Sequence, residues 1–185
     1  MNTLKLTAKD FKNGEYVGKE TFESEYQGSV EIEENLGWQR IKRIWCSGSL
    51  VVGAGTSIEA GGYIKAGEYI EAGWYIKAGA SIEAGGYIEA GGSIKAGGYG
   101  ITAGLSISCK LSLSAKMRII AGVSPWRDGN DNSDSLVTCG KLESGTVVGT
   151  LVETGLPETP APIKSSCHGD EPGPFCRKCG QAVNR

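Results

Sequence analysis

Isoleucine recurs every six residues at Ile58, Ile64, Ile70, Ile76, Ile82, Ile88 and Ile94. Ala follows two residues after each, from Ala60 to Ala96, and Gly follows that Ala, from Gly61 to Gly97. Between Ile and Ala sits a charge: Glu59, Lys65, Glu71, Lys77, Glu83, Glu89 and Lys95. An α-helix turns by about 100° per residue, so six residues do not return to the same face. Glycines at this density also penalise a helix by about 1 kcal/mol each. A strand fits instead. In Tyr-Ile-Lys-Ala, alternation sends Ile and Ala to one side and Tyr and Lys to the other. The Gly-x pair then turns the chain.

Short strands joined by tight corners at constant spacing describe an all-β, single-stranded parallel β-solenoid. Stacks of Ile and Ala run inside, and Tyr, Ser, Glu and Lys run outside. Gly100 inserts one residue, after which Ile101, Ile107, Leu113 and Ile119 keep the spacing of six, and upstream Val52 is in phase with Ile58. The solenoid is therefore expected over 50–123. Two coil lengths remain open. A spacing of 12 lines up Tyr63, Tyr75, Tyr87 and Tyr99, whereas 18 pairs Glu59 with Lys77 and Lys65 with Glu83.

The chain resembles small uncharacterised phage and bacterial proteins with runs such as IKAG-x-[YS]-IEAG. Residues 58–104 carry that likeness, and GITAGLSISCK and RIIAGVSPW are similar to the way such runs end. The resemblance extends over residues 1–152; it implies the solenoid and brings no established activity. Hexapeptide-repeat acyltransferases are similar only superficially. Their small residue precedes the aliphatic one by two, and their solenoid carries a catalytic His, whereas the single His of this chain is His168.

Around the repeat, residues 1–49 read as a β-rich N-terminal cap, with Trp38, Ile41, Ile44 and Trp45 available to cover the first coil. Residues 124–152 read as strands that close the solenoid. Within them, Asp128, Asn130 and Asn132 imitate a calcium loop, but Ser133 and Cys139 stand where it needs Gly and Glu. Residues 153–166 form a Pro-rich linker. The 167–185 tail ends in Cys176-Arg-Lys-Cys179-Gly, the spacing of a zinc knuckle, with Cys167 and His168 upstream to complete a tetrahedral set. Zinc is the expected cofactor, in a structural role; Cys139 or a neighbouring protomer is the other source of a fourth ligand.

The formal charge of −2 predicts neither nucleic-acid nor membrane attraction. No apolar run reaches the length of a membrane span, and the N-terminal residues show no signal-peptide core, so the cytoplasm, or a host cytoplasm, is expected. The 29 glycines, about twice the usual share, are periodic rather than linker-like. No catalytic set is legible. The expected role is a non-enzymatic, rigid binding or scaffold protein that is phage-related, forms homo-oligomers and meets a protein partner of host or defence origin. Tyr63, Trp74, Tyr75, Tyr87 and Tyr99 are its candidate contact residues. The alternative is a small-ligand-binding or acyltransferase-like enzyme with its site between subunits.

Overall fold

The computed structural model describes residues 2–123 and 135–156. The loop at Asp128–Asn132, the proposed zinc residues Cys167, His168, Cys176 and Cys179, and most of the Pro-rich linker lie outside the described residues. Those described are all-β, with one short 3-10 turn at Ala8–Asp10 and no α-helix. Among them no helix is long and apolar enough to cross a membrane.

From Ile64 to Ala96 each Ile-x-Ala triplet is a three-residue strand, as in Ile64–Ala66, Ile70–Ala72 and Ile76–Ala78, and the first triplet ends the longer strand Thr56–Ala60. Ile and Ala are buried and the residue between them faces outward. Ile70 lies beside Ile88 and Ile76 beside Ile94, in parallel register. The regular coil is thus 18 residues long, which settles the open choice. Three strands make one coil, and the section is triangular. The inserted Gly100 is absorbed in a coil where Ile82 pairs with Ile101.

The first face stacks eight strands, from Thr3–Leu6 through Ser29–Ile32, Leu50–Val52, Ile70–Ala72, Ile88–Ala90, Ile107–Cys109 and Leu136–Cys139 to Thr150–Glu153. The second contains Gly37–Ile41, Thr56–Ala60, Ile76–Ala78 and Ile94–Ala96, and the third Ile44–Cys46, Ile64–Ala66, Ile82–Ala84 and Ile101–Ala103. Ser112–Ile120 and Lys141–Val148 each bend across the second and third faces. Backbone ladders join the coils, as where Ile58 N–H donates to Tyr75 C=O at 3.0 Å. Along the axis the isoleucines from Ile44 to Ile119 are fully buried. Each contributes about 1.5–3 kcal/mol by leaving water.

Parallel pairing continues upstream of residue 50: Leu4 opposes Val30, and Val30 opposes Leu50. Those coils are longer and irregular, so no hexad marks them. One consequence is a shift of phase. Val52 opposes Ala72, and Leu50 takes the isoleucine position opposite Ile70. Trp38 and Trp45 do not cover the first coil, because strand alternation turns Gln39, Ile41, Ile44 and Cys46 inward and the two indoles outward. The first end is closed by Phe22, fully buried, with Phe11, Tyr16 and Leu4 packed on the core beside it.

Candidate interaction surface

A coil of three strands distributes the candidate contact residues. Twelve residues are two faces, so Tyr63, Tyr75, Tyr87 and Tyr99 do not form the ladder that their spacing suggests. Tyr63 leads into the third face, Tyr75 into the second and Tyr87 into the first. Stacking follows the coil instead. Tyr69 and Tyr87, one coil apart, lie parallel with centroids 4.9 Å apart. Tyr99, 64% exposed, projects alone at a corner.

Trp74 and Tyr75 are brought together with a residue the repeat does not announce. Trp38 pairs in register with Ser57, and Tyr75 N–H reaches Ser57 Oγ from the next coil at 3.4 Å. Ser57 is small and buried, so the rings above and below it close the gap. Trp38 and Tyr75 have centroids 5.7 Å apart, and Trp74 meets Tyr75 edge-on at 5.3 Å. Trp38 is 41% exposed and Trp74 46%. Three aromatic side chains therefore form one contiguous, solvent-facing cluster, Trp38 from the strand Gly37–Ile41 and Trp74 and Tyr75 from the corner between Ile70–Ala72 and Ile76–Ala78.

Glu59 anchors its border. Its carboxylate accepts from Trp38 Nε1 at 2.9 Å, pairs with Lys77 Nζ at 2.6 Å and with Arg40 Nε at 3.2 Å. Arg40 also reaches Glu15 at 3.4 Å. The Lys77 ammonium, then the Trp38 and Arg40 donors, hold the Glu59 carboxyl down at about 2, against an ordinary 4.5. The carboxylate fixes the Trp38 indole by its N–H, so this ring is pre-oriented before anything binds.

On the third face Trp45 and Tyr63 meet edge-on at 6.4 Å. Lys65 Nζ lies 5.8 Å from the Trp45 ring and 3.4 Å from Glu83, and Arg43 lies 6.0 Å from the Tyr63 ring. Trp45, Tyr63, Lys65, Ser81 and Glu83 line a shallow groove of about 210 Å³. Its aromatic faces are already engaged by cations of the chain itself.

The thiols of the described residues, Cys46, Cys109 and Cys139, are buried and poor nucleophiles. Burial pushes Cys46 up to about 11 and Cys109 up to about 12, and it raises Cys139 as well. Among the described residues no group of three His, Cys, Asp or Glu side chains is placed to hold a metal ion. Comparison with protein-family models, curated proteins and solved structures gave no match.

The sequence pointed to Trp74 and Tyr75 and missed Trp38, Arg40 and Glu59 as their companions. The available signal was the pairing of Glu59 with Lys77 at 18. Extending that spacing one irregular coil upstream leads to Trp38 and Arg40.

Proposed function

We propose that this protein is a non-enzymatic, rigid β-solenoid that binds another protein through the Trp38–Tyr75–Trp74 cluster. The observation that carries the reading is two half-exposed indoles held against a tyrosine at a corner of the coil, with Arg40, Glu59 and Lys77 at the border. Trp, Tyr and Arg are the residues that dominate binding energy at protein interfaces. A preformed cluster loses little conformational entropy on docking. The resemblance to phage proteins makes a host protein the first partner to test.

The test is affinity capture from the native host with the intact chain and with Trp74→Ala, Tyr75→Ser and Trp38→Ala variants. Loss of a specific partner in all three, with Tyr87→Ser and Tyr99→Ser still binding and all folds intact by circular dichroism, supports the reading. Capture indifferent to the three substitutions refutes it.

Small-ligand binding is the second reading, and the groove between Trp45, Tyr63 and Glu83 favours it. A thermal-shift screen with nucleotides and acyl-coenzyme A retires that reading if nothing stabilises the protein. For residues 167–185 we propose a structural zinc held by Cys176 and Cys179, with Cys167 and His168 completing the set. Elemental analysis finding one zinc per chain, lost in Cys176→Ser, supports it; zinc-free protein from zinc-replete cells refutes it.

A further inference from the structure

The described residues end on the same corner that carries the aromatic cluster. That corner joins the first face to the second, and backbone hydrogen bonds order it coil by coil. Gly92 N–H donates to Trp74 C=O at 2.8 Å, Leu111 N–H to Gly92 C=O at 3.0 Å and Lys141 N–H to Leu111 C=O at 2.9 Å. One coil further, Thr154 N–H donates to Cys139 C=O at 2.9 Å, and exposed Leu156 follows Gly155. The first-face strands leading into this corner run from Ile70–Ala72 to Thr150–Glu153 through three others. Leu156 therefore lies four strand spacings from Trp74, about 19 Å along the axis. Between them the corner presents half-buried Leu111, then Gly91, Gly92 and Ser93, a low floor. Lys110 and Lys141 flank it, both exposed and without a carboxylate partner among the described residues.

The sequence beyond Leu156 reads Pro157-Glu-Thr-Pro160-Ala-Pro162-Ile163-Lys164. A polyproline II helix has about three residues per turn, so Pro157, Pro160 and Ile163 share one apolar edge. At about 3.1 Å per residue, such a helix from Leu156 to Ile163 spans about 22 Å. The apolar edge is thus as long as the corner between Leu156 and the aromatic cluster.

We propose that residues 157–164 fold back along this corner and dock on the Trp38–Tyr75–Trp74 cluster of their own chain. Proline-rich segments suit aromatic surfaces because their extended form is preset and loses little entropy on docking. In this register Glu158 passes Lys141 and Lys110, Pro160 lies over Leu111 and Gly92, and Pro162 and Ile163 reach Trp74 and Tyr75. A contact of so few residues is weak on its own, but attachment at Leu156 supplies an effective concentration on the order of millimolar. The inference deepens the partner reading and rests on it for its consequence. The docked segment occupies the same cluster, so a partner has to displace it.

Nuclear magnetic resonance of the isotope-labelled full chain tests the contact with no partner present. Expected are Overhauser contacts from the Ile163 methyls to the Trp74 and Tyr75 rings, unchanged on dilution by about tenfold. Pro160→Ser combined with Ile163→Ser leaves the solenoid sequence intact. It should shift the Trp74 indole N–H signal and leave that of Trp45, on the third face, in place. Free peptide of residues 156–164, added to this double variant at millimolar concentration, should move the Trp74 signal back. In affinity capture the double variant should recover about threefold more partner than wild type, because nothing has to be displaced. Absence of Ile163 contacts, with a Trp74 signal indifferent to the double substitution, overturns the proposal and leaves the partner reading standing. Contacts that vanish on dilution also overturn it, because the segment then comes from a second copy. Contacts that persist, together with capture indifferent to Trp74→Ala, support the docking and refute the partner reading alone.

Discussion

Gly61 and Gly85 hold the same phase of the repeat, each following an Ile-x-Ala triplet, yet alanine should be tolerated at one and not at the other. Gly85 N–H donates to Ala66 C=O of the preceding coil at 3.2 Å, and a Cβ on Gly85 would stand inside van der Waals contact with the carbonyl oxygen of Gly67. That oxygen is backbone, held in a corner between two stacked strands, and cannot swing away. A Cβ on Gly61 would meet Lys42 C=O at an ordinary 3.7 Å, because the corner below it, at Lys42 and Arg43, is one residue shorter and packs differently. Overpacking of this kind costs about 1–3 kcal/mol, and an unrelaxing backbone contact belongs at the upper end. Gly61→Ala should lie within about 0.5 kcal/mol of wild type, or gain slightly from a less flexible unfolded chain. For a chain of this size the difference corresponds to a Tm gap of about 5–10 °C. Urea and thermal unfolding of both variants, followed by circular dichroism, measure it. Equal stabilities would show that coil-to-coil contact at the corner is not what demands glycine there, and the account of the repeat given above would fail.

Glu59 makes stability depend on pH. Its folded pKa is depressed, so its contribution is complete above about 4.5 and is lost as pH falls toward about 2. Glu59→Gln should therefore be less stable than wild type at pH 7, by about 1 kcal/mol for a partly exposed network, with the gap closing across that acid window in urea titrations. Gln39 faces the core opposite Ile58, and its Oε1 has no hydrogen-bond partner. Gln39→Leu should raise Tm, since an orphaned buried acceptor costs about 1–3 kcal/mol; a lowered Tm would mean the amide is needed for its bond to Leu36 C=O. Cys46 and Cys109, buried and held protonated, should resist iodoacetamide at pH 8 in the folded protein and react in denaturant, as peptide mass spectrometry would show.

The solenoid was legible because Ile and Ala at period six admit only a strand-and-corner solution. The coil length was not, because two signals disagreed. Tyrosines aligned at 12 and charges at 18, and the charges reported the coil: Lys77 meets Glu59 at 2.6 Å and Lys65 meets Glu83 at 3.4 Å. The tyrosines misled because Tyr and Ser are interchangeable outside a corner. Ser57 below Tyr75 leaves room for Trp38 to reach across a coil. Nor did any pattern mark the coils upstream of residue 50, where Leu4, Val30 and Leu50 stack at unequal intervals. A parallel strand needs an apolar inner face and a partner, but the loops between coils can be any length. Trp38 and Arg40 were hidden by that freedom.

A triangular coil of interchangeable Ile-x-Ala triplets also makes chain length a ruler and a compass. Removing 18 residues from the regular part shortens the rod by one strand spacing, about 4.8 Å, and leaves both ends facing as before. Removing six residues is equally compatible with the buried stacks, but it swings everything downstream by a third of a turn relative to Trp38 and Tyr75. Small in-frame changes in this stretch can therefore reset the distance and the bearing between the aromatic cluster and the far end separately, without altering either one.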